Sequence, residues 1–482
     1  MPNQTRREFL KTMGLAAASA GAFSLLPACS EASRAPNPRT NGPNILFLFT
    51  DDQRFDTIRA LGNSEIITPN MDTLVRTGTT FTNAYIMGST SGAVCMPSRA
   101  MLLTGRNLFD LVESGRTIPD RHPTLPEILR RAGYVTFQTG KWHNGPEAYA
   151  RSFTAGANIF FGGMSDHYKV PIHDFDPAGK YSKEARHYRE GKHSSELFSD
   201  AAIEFLRGHK TDRPFFMWVS YTAPHDPRTA PKEYHDMYDP GKIALPPSFM
   251  PEHPFDNGQM RIRDEQLAPW PRTPQEIRRH IADYYAMITH VDAQIGRVLD
   301  ALKETGRADN TIIAFSGDNG LAVGRHGLLG KQNLYEHSIH VPLIISGPDI
   351  PEGQRRDGFC YLHDIYPTLC GLAGVPVPDS VKSKSLLPLI TGQKSSVRDT
   401  LFFAYKDIQR SVRDDRYKLI QYCVEGTRTT QLFDLQTDPA ELKNLARDPK
   451  YASHLYRLHA ELLRWKDKVG DPGGFWQGYS PS

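Results

Sequence analysis

Short apolar runs, each closing on polar residues, recur through the middle of this chain. Asn44-Ile45-Leu46-Phe47-Leu48-Phe49-Thr50 is almost continuously apolar and ends on Asp51-Asp52. A run without alternation suits a strand covered on both faces, as in a parallel sheet sandwiched between helices. Residues 134–139, 215–220, 311–316 and 341–346 repeat the pattern. Between the later runs, Ile281, Tyr285, Ile288, Val291, Ile295, Val298 and Leu302 recur at three- and four-residue intervals, which predicts one helix with an apolar face. Strands alternating with helices predict an α/β fold, a large doubly wound and mostly parallel sheet flanked by helices.

Both ends of the chain depart from this pattern. In the tail, Ser411-Val412-Arg413, Tyr417-Lys418-Leu419-Ile420 and Gln431-Leu432-Phe433-Asp434-Leu435 read as antiparallel strands, and a helix follows that ends near Lys468. The boundary is placed near Gly392, giving a large α/β region 44–391 and a smaller C-terminal α+β region 392–482. At the other end, Thr5-Arg6-Arg7-Glu8-Phe9-Leu10-Lys11 precedes an apolar, small-residue stretch over 13–26 and Pro27-Ala28-Cys29. Residues 1–29 resemble a bacterial twin-arginine export signal, which implies the twin-arginine export machinery as a partner and a periplasmic or cell-surface location. The stretch is too short to span a bilayer. Leu26-Pro27-Ala28-Cys29 also resembles a lipobox, although Pro27 fits poorly, so a soluble form and one lipid-anchored through Cys29 both stay open. Residues 30–43 read as a flexible tether.

At 482 residues the chain exceeds what one core usually serves, in keeping with a large domain and a companion. A formal charge of +3, with acids and bases interspersed, argues against a nucleic-acid partner. Cys29, Cys95, Cys360, Cys370 and Cys423 form no C-x-x-C pair and no zinc spacing, so no structural disulfide is expected.

The candidate chemistry lies just past the predicted strands. Asp51 and Asp52 follow the first, Lys141 and His143 the second, His225 the third, and Asp318 and Asn319 the fourth. Ligands of open α/β sheets bind at that edge. Taken singly, an Asp-Asp pair is often a cap, and Gly317-Asp318-Asn319-Gly320 is a good turn sequence. Three carboxylates and a carboxamide brought together would repel unless a cation sat among them, and all-oxygen ligands suit Ca²⁺ or Mg²⁺.

Cys95 stands among small residues and is followed by Met96-Pro97-Ser98-Arg99 and Leu103-Thr104-Gly105-Arg106, as in a loop entering a helix with its Cys beside a guanidinium. An inert buried Cys is the usual reading of an isolated Cys-x-Pro. The full stretch, however, resembles the signature of the type I sulfatases, formylglycine-dependent members of the alkaline phosphatase superfamily. Gly140-Lys141-Trp142-His143, Ala223-Pro224-His225-Asp226-Pro227 and the loop His326 to Lys331 resemble further elements of that family. So do Thr68-Pro69-Asn70-Met71-Asp72 and Asp364-Ile365-Tyr366-Pro367-Thr368-Leu369.

The resemblance implies that a maturation enzyme oxidises Cys95 to formylglycine, whose hydrate attacks sulfur and later expels sulfate by collapsing to the aldehyde. It implies Ca²⁺, with Mg²⁺ as runner-up, on Asp51, Asp52, Asp318, Asn319 and the Cys95-derived hydroxyl. Arg99 and Lys141 would bind the diol and sulfate oxygens, and His143 would take a proton from the second hydroxyl. His225 and Lys331 would assist departure of the alcohol. His326 is given no role. A four-stranded C-terminal sheet with a packed helix is also implied. The expected activity is removal of sulfate from a carbohydrate, a sulfated poly- or oligosaccharide. A phosphonate or phosphodiester hydrolase of the same superfamily and a non-catalytic glycan-binding lipoprotein are the alternatives. Sugar selection would fall to residues 145–190 and 227–274, where Arg186, His187, Arg189, Arg228 and Arg263 could meet a uronate or second sulfate, or be solvated surface charge.

Overall fold

The main sheet is built from β1 (Asn44–Thr50), β2 (Gly78–Phe81), β3 (Val135–Lys141), β4 (Ala155–Phe160), β5 (Phe215–Ser220), β6 (Thr311–Gly317), β7 (Leu343–Ser346) and β8 (Gln354–Arg356). Their order across the sheet is β8-β2-β7-β6-β1-β5-β3-β4. The computed structural model describes residues 42–479. Residues 1–41, which include the stretch resembling an export signal, Cys29 and most of the expected tether, lie outside the described residues.

Strand β1 shows why the runs are uninterrupted. Ile45, Phe47 and Phe49 enter one hydrophobic core, whereas Leu46 and Leu48 enter a second on the opposite face. Because side chains alternate faces along a strand, two cores require apolar residues at successive positions. On the second face lie α2 (Ser194–Gly208) and α3 (Pro274–Glu304), whose apolar stripes belong to that core. Thr273 caps α3 by accepting from the Glu276 N–H at 3.2 Å, and Pro274 occupies its first turn. The first face receives α1 (Cys95–Thr104) through Met101, Leu102 and Leu103.

From β6 to β4 all neighbours pair in parallel. One expectation is corrected: the run 341–346 forms a strand only from Leu343, and β7 is antiparallel to both β6 and β2. Pro342 has no N–H to donate, and apolar content carries no information on strand direction.

The tail folds as β9 (Leu401–Tyr405), β10 (Gln409–Arg413), β11 (Tyr417–Val424) and β12 (Thr427–Asp434), an antiparallel meander packed against α4 (Ala452–Val469). A fifth, two-residue strand, Gly88–Ser89, comes from the large α/β region and pairs in parallel with β9. Gly88 has a φ of 100°, and a Cβ there would stand 2.0 Å from the Ala404 carbonyl oxygen, so only glycine permits the approach. The contact anchors the loop that leads into Cys95. Among the described residues no helix is long and apolar enough to cross a membrane.

Candidate active site

The four central strands β6, β1, β5 and β3 lie side by side, so the groups at their carboxyl ends converge. Asp318 and Asn319 leave β6, Asp51 and Asp52 leave β1, His225 follows β5, and Lys141 ends β3 with His143 two residues on. Asp52 adopts a left-handed backbone (φ 66°), which lets its N–H donate to Asp318 Oδ1 at 3.0 Å. His143 is also left-handed, with φ 78°. Such conformations persist only where surroundings enforce them.

Cys95 is the first residue of α1, as the motif predicted. The helix is tied to the end of β6 by the Ser98 hydroxyl, which donates to the Asp318 carbonyl at 2.6 Å. Ligand atoms of Asp51, Asp52, Cys95 and His225 all lie within 4.8 Å of one another. Asp318 is engaged by the protein at both oxygens, Oδ1 with the Asp52 N–H and Oδ2 with Arg99 Nε at 2.9 Å.

Three buried cations face these three buried carboxylates. Lys141 Nζ donates to Asp51 Oδ2. Lys331 Nζ donates to both oxygens of Asp52, at 2.6 and 2.8 Å, and lies 3.3 Å from Cys95 Sγ. Arg99 bonds Asp318, the Lys141 carbonyl (3.1 Å) and the Ser220 hydroxyl (2.7 Å). The repulsion that seemed to demand an external ion is therefore met by the chain's own lysines and arginine. What favours a cation is different. Asp51 Oδ1 and Asn319 Oδ1 are buried oxygens with no hydrogen-bond partner, while Asn319 Nδ2 is held by Asp52 Oδ1 at 2.7 Å. Unpartnered buried acceptors are costly, and a hard cation satisfies oxygen acceptors directly. The set of Asp51, Asp52, Asp318 and Asn319 thus fits such an ion through the free oxygens of Asp51 and Asn319, while Asp52 and Asp318 already accept protein donors at both oxygens.

Burial dominates the titration of the site. It pushes the Cys95 thiol up to about 12, against the opposing pull of Lys141 and Lys331, so the thiol is protonated at neutral pH. Burial also works to raise the Asp51 pKa, but Lys141 and His225 outweigh it and hold that carboxyl below its ordinary value. Asp318 is displaced upward, by burial and then by Asp51. His143 is held neutral, well below the usual imidazole range, by burial and then by Lys141, Arg99 and Lys331.

His225 donates from Nδ1 to the Asp226 carbonyl at 2.9 Å, leaving Nε2 turned towards Asp52 Oδ2 at 3.7 Å. Arg263, open in the sequence to a substrate role or a solvated one, instead clamps Asp226 through two hydrogen bonds (2.6 and 3.0 Å) and also bonds Asp264. Asp264 accepts from Gln332, the neighbour of Lys331, at 2.8 Å. Arg228 pairs with His280 at 2.7 Å rather than facing solvent. His326 stacks on Tyr335 with ring centroids 4.0 Å apart and bonds the Glu441 carbonyl, a packing role. The sequence did not single out Ser98, Ser220 or Tyr284, whose hydroxyl donates to the Asp52 carbonyl. Ser220 ends β5 and was recoverable from the rule that marked Asp51. Tyr284 comes from the middle of α3 and carries no local signal.

Comparison with known proteins bears on this arrangement. The sulfatase family model matches residues 43–375. A model described as N-sulphoglucosamine sulphohydrolase, C-terminal, matches residues 324–468. An arylsulfatase of Clostridium perfringens is 30% identical, the match covering 90% of this chain and 96% of that protein. An N-acetylglucosamine-6-O-sulfatase of Bacteroides thetaiotaomicron is 28% identical, covering 89% and 87%. A solved structure in complex with its substrate D-glucosamine-2-N,6-O-disulfate superposes with a TM-score of 0.76 at 24% identity, covering 90% of this chain and 99% of that one. Sheet order, the carboxyl-edge cluster around Cys95 and a family match over most of the length agree: the chain belongs to the sulfatase family and is a sulfuric ester hydrolase.

Proposed function

We propose that this enzyme removes sulfate from a carbohydrate, with Cys95 matured to formylglycine and a divalent cation, Ca²⁺ before Mg²⁺, held by Asp51, Asp52, Asp318, Asn319 and the Cys95-derived hydroxyl. The observation that carries the reading is the setting of Cys95. Its sulfur sits 3.3 Å from Lys331 Nζ among Asp51, Asp52 and His225, with its thiol displaced to about 12. A thiol so protonated is a poor nucleophile, and an oxidised residue 95 in that place is not bound by the limitation. Hydrated formylglycine would supply a diol hydroxyl as nucleophile, and the cation would supply Lewis acidity at a sulfate oxygen.

The chain's own groups do the remainder. Arg99 NH2, 3.8 Å from Asp51 Oδ2 and without a hydrogen-bond partner, is the donor left for a substrate oxygen. Lys141 adds a second positive charge on the same side. His143, neutral and with Nδ1 unpartnered, can accept a proton from the residue 95 side. The Nδ1–H bond of His225 to the Asp226 carbonyl turns Nε2 into the site, and in the imidazolium form the Nε2 proton can pass to the departing alcohol oxygen. Lys331, beside both Asp52 and residue 95, can stabilise that oxygen as charge develops.

Carbohydrate as the substrate class is supported by the relatives, which include a sulfatase of N-acetylglucosamine and a structure holding a glucosamine disulfate. The twin-arginine-like leader supports action outside the cytoplasm, as a periplasmic or cell-surface enzyme. Peptide mass mapping after expression with a maturation enzyme tests the core of the reading. The Cys95 peptide should be lighter by ~18 Da, and rates on a sugar sulfate should exceed those on a phosphonate ester. A fully active enzyme with an unmodified thiol would end the formylglycine account.

A further inference from the structure

The sheet does not stop at β4. Ile159 and His173 exchange two backbone hydrogen bonds (2.9 and 2.8 Å), and Ile172 and His187 exchange two more (3.0 and 2.9 Å). The insert between β4 and α2 is thereby laddered onto the sheet edge and held in one place. It encloses a cavity of about 230 Å³.

The lining has a mixed chemistry. Phe161 and Tyr181 meet with ring centroids 5.0 Å apart and give the cavity aromatic walls. His173 is 95% buried, donates from Nε2 to the Ser182 carbonyl at 3.0 Å, and keeps Nδ1 without a partner, an acceptor for a hydroxyl. Lys183 and Arg186 line the same cavity from a turn closed by the Arg186 N–H on the Lys183 carbonyl. Among the described residues neither forms an ion pair. The carboxylate between them, Glu184, is bonded to its own N–H and to Ser182, and feels the charges of Arg186 and Lys183 more weakly.

The cavity's lining adjoins the catalytic groups along the chain. Gly162 lines it, and at the next residue a Cβ on Gly163 would stand 2.9 Å from His143 Nε2. Pro146, three residues after His143, lines it as well. We propose that the cavity is a subsite for a second sugar unit bearing an anionic group, a carboxylate or a further sulfate, next to the unit whose sulfate is cleaved. Aromatic faces suit the C–H face of a pyranose, and two cations held in no ion pair suit an anion. The inference rests on the sulfatase reading of the neighbouring site and names what its substrate carries beyond the scissile ester.

The test is the double variant Lys183→Ala with Arg186→Ala, measured on four substrates. These are 4-nitrophenyl sulfate, a sulfated neutral disaccharide, the same disaccharide with a uronate as its second unit, and one with a second sulfate there. On the first two, kcat/KM should equal that of the unmodified enzyme. On one or both anionic disaccharides it should fall roughly tenfold, the sum of two solvent-exposed contacts, and the substrate that loses most identifies the anion. An equal effect on all four substrates, or none, would overturn the subsite. Calorimetric binding of the same disaccharides to Cys95→Ala, with and without the two substitutions, separates this from the activity. Tenfold weaker binding to Cys95→Ala carrying the two substitutions, combined with no sulfate release by the matured enzyme that keeps Cys95, would keep the subsite and refute the catalytic reading. Unchanged binding to Cys95→Ala alongside normal turnover by the matured enzyme that keeps Cys95 would do the reverse.

Discussion

Replacing Lys331 with alanine probes both the electrostatics and the chemistry of the site. Lys331 is 4% exposed and Asp52 1%, and their two hydrogen bonds of 2.6 and 2.8 Å form a buried pair. Without the ammonium, Asp52 keeps Asn319 Nδ2 at 2.7 Å and has His225 Nε2 at 3.7 Å. Breaking a buried pair by removing one partner commonly costs about 3–5 kcal/mol, and the remaining Asn319 contact offsets part of it. Urea unfolding in chelator should therefore show a loss at or somewhat below that range. Turnover is measured with Ca²⁺ restored, on 4-nitrophenyl sulfate and on a sugar sulfate. If Lys331 serves the departing oxygen, the sugar substrate should lose roughly 10²–10⁴-fold more than the aryl one, because a phenolate leaves without help and an alkoxide does not. The same comparison on His225→Ala ranks the two groups. Equal losses on both substrates for both variants would refute the assignment, and unchanged stability of Lys331→Ala would refute the electrostatic argument.

Exhaustive chelation should lower turnover by orders of magnitude and Ca²⁺ should restore it, since Asp51 Oδ1 and Asn319 Oδ1 have no partner in the protein; full activity in metal-free enzyme, verified by elemental analysis, would remove the ion. Asp292 offers a pH test away from the site. It accepts from the Met71 and Asn70 N–H groups at 2.7 and 3.1 Å, yet burial lifts its pKa from 3.8 to about 6. A raised carboxyl binds its proton more tightly in the folded state, so its contribution is fully present below pH 3.8 and lost as pH rises through 6. Asp292→Asn should flatten that decline in urea titrations between these limits, and parallel curves would contradict it. Lysine at both Arg6 and Arg7 should leave precursor in the cytoplasm on fractionation, whereas normal export would point to another route.

Local sequence determined the elements and their chemistry. The run at 44–50 is a strand to the residue, because a strand between two cores must be apolar at every position. Cys95 opens a helix, and Asp51, Asp52, Arg99, Lys141, Asp318, Asn319 and Lys331 meet in one buried network at the carboxyl edge, with His143 half-buried beside it, because turns at the carboxyl ends of neighbouring parallel strands deliver side chains to a common edge. Pairing partners were another matter. Apolar content could not set the reversed direction of β7, and the addition of Gly88–Ser89 to the C-terminal sheet depends on a close backbone contact with Ala404. Nor could sequence show that Lys141 and Lys331 would neutralise Asp51 and Asp52, or that Arg263 would be consumed by Asp226 and Asp264. Asp52 and Asp318 are 266 residues apart, and Asp52 and Lys331 are separated by 279. Periodicity and motif report forces acting within a few residues of chain. Which charge meets which, and which oxygen is left without a donor, follows from burial that exists only once the strands have closed side by side.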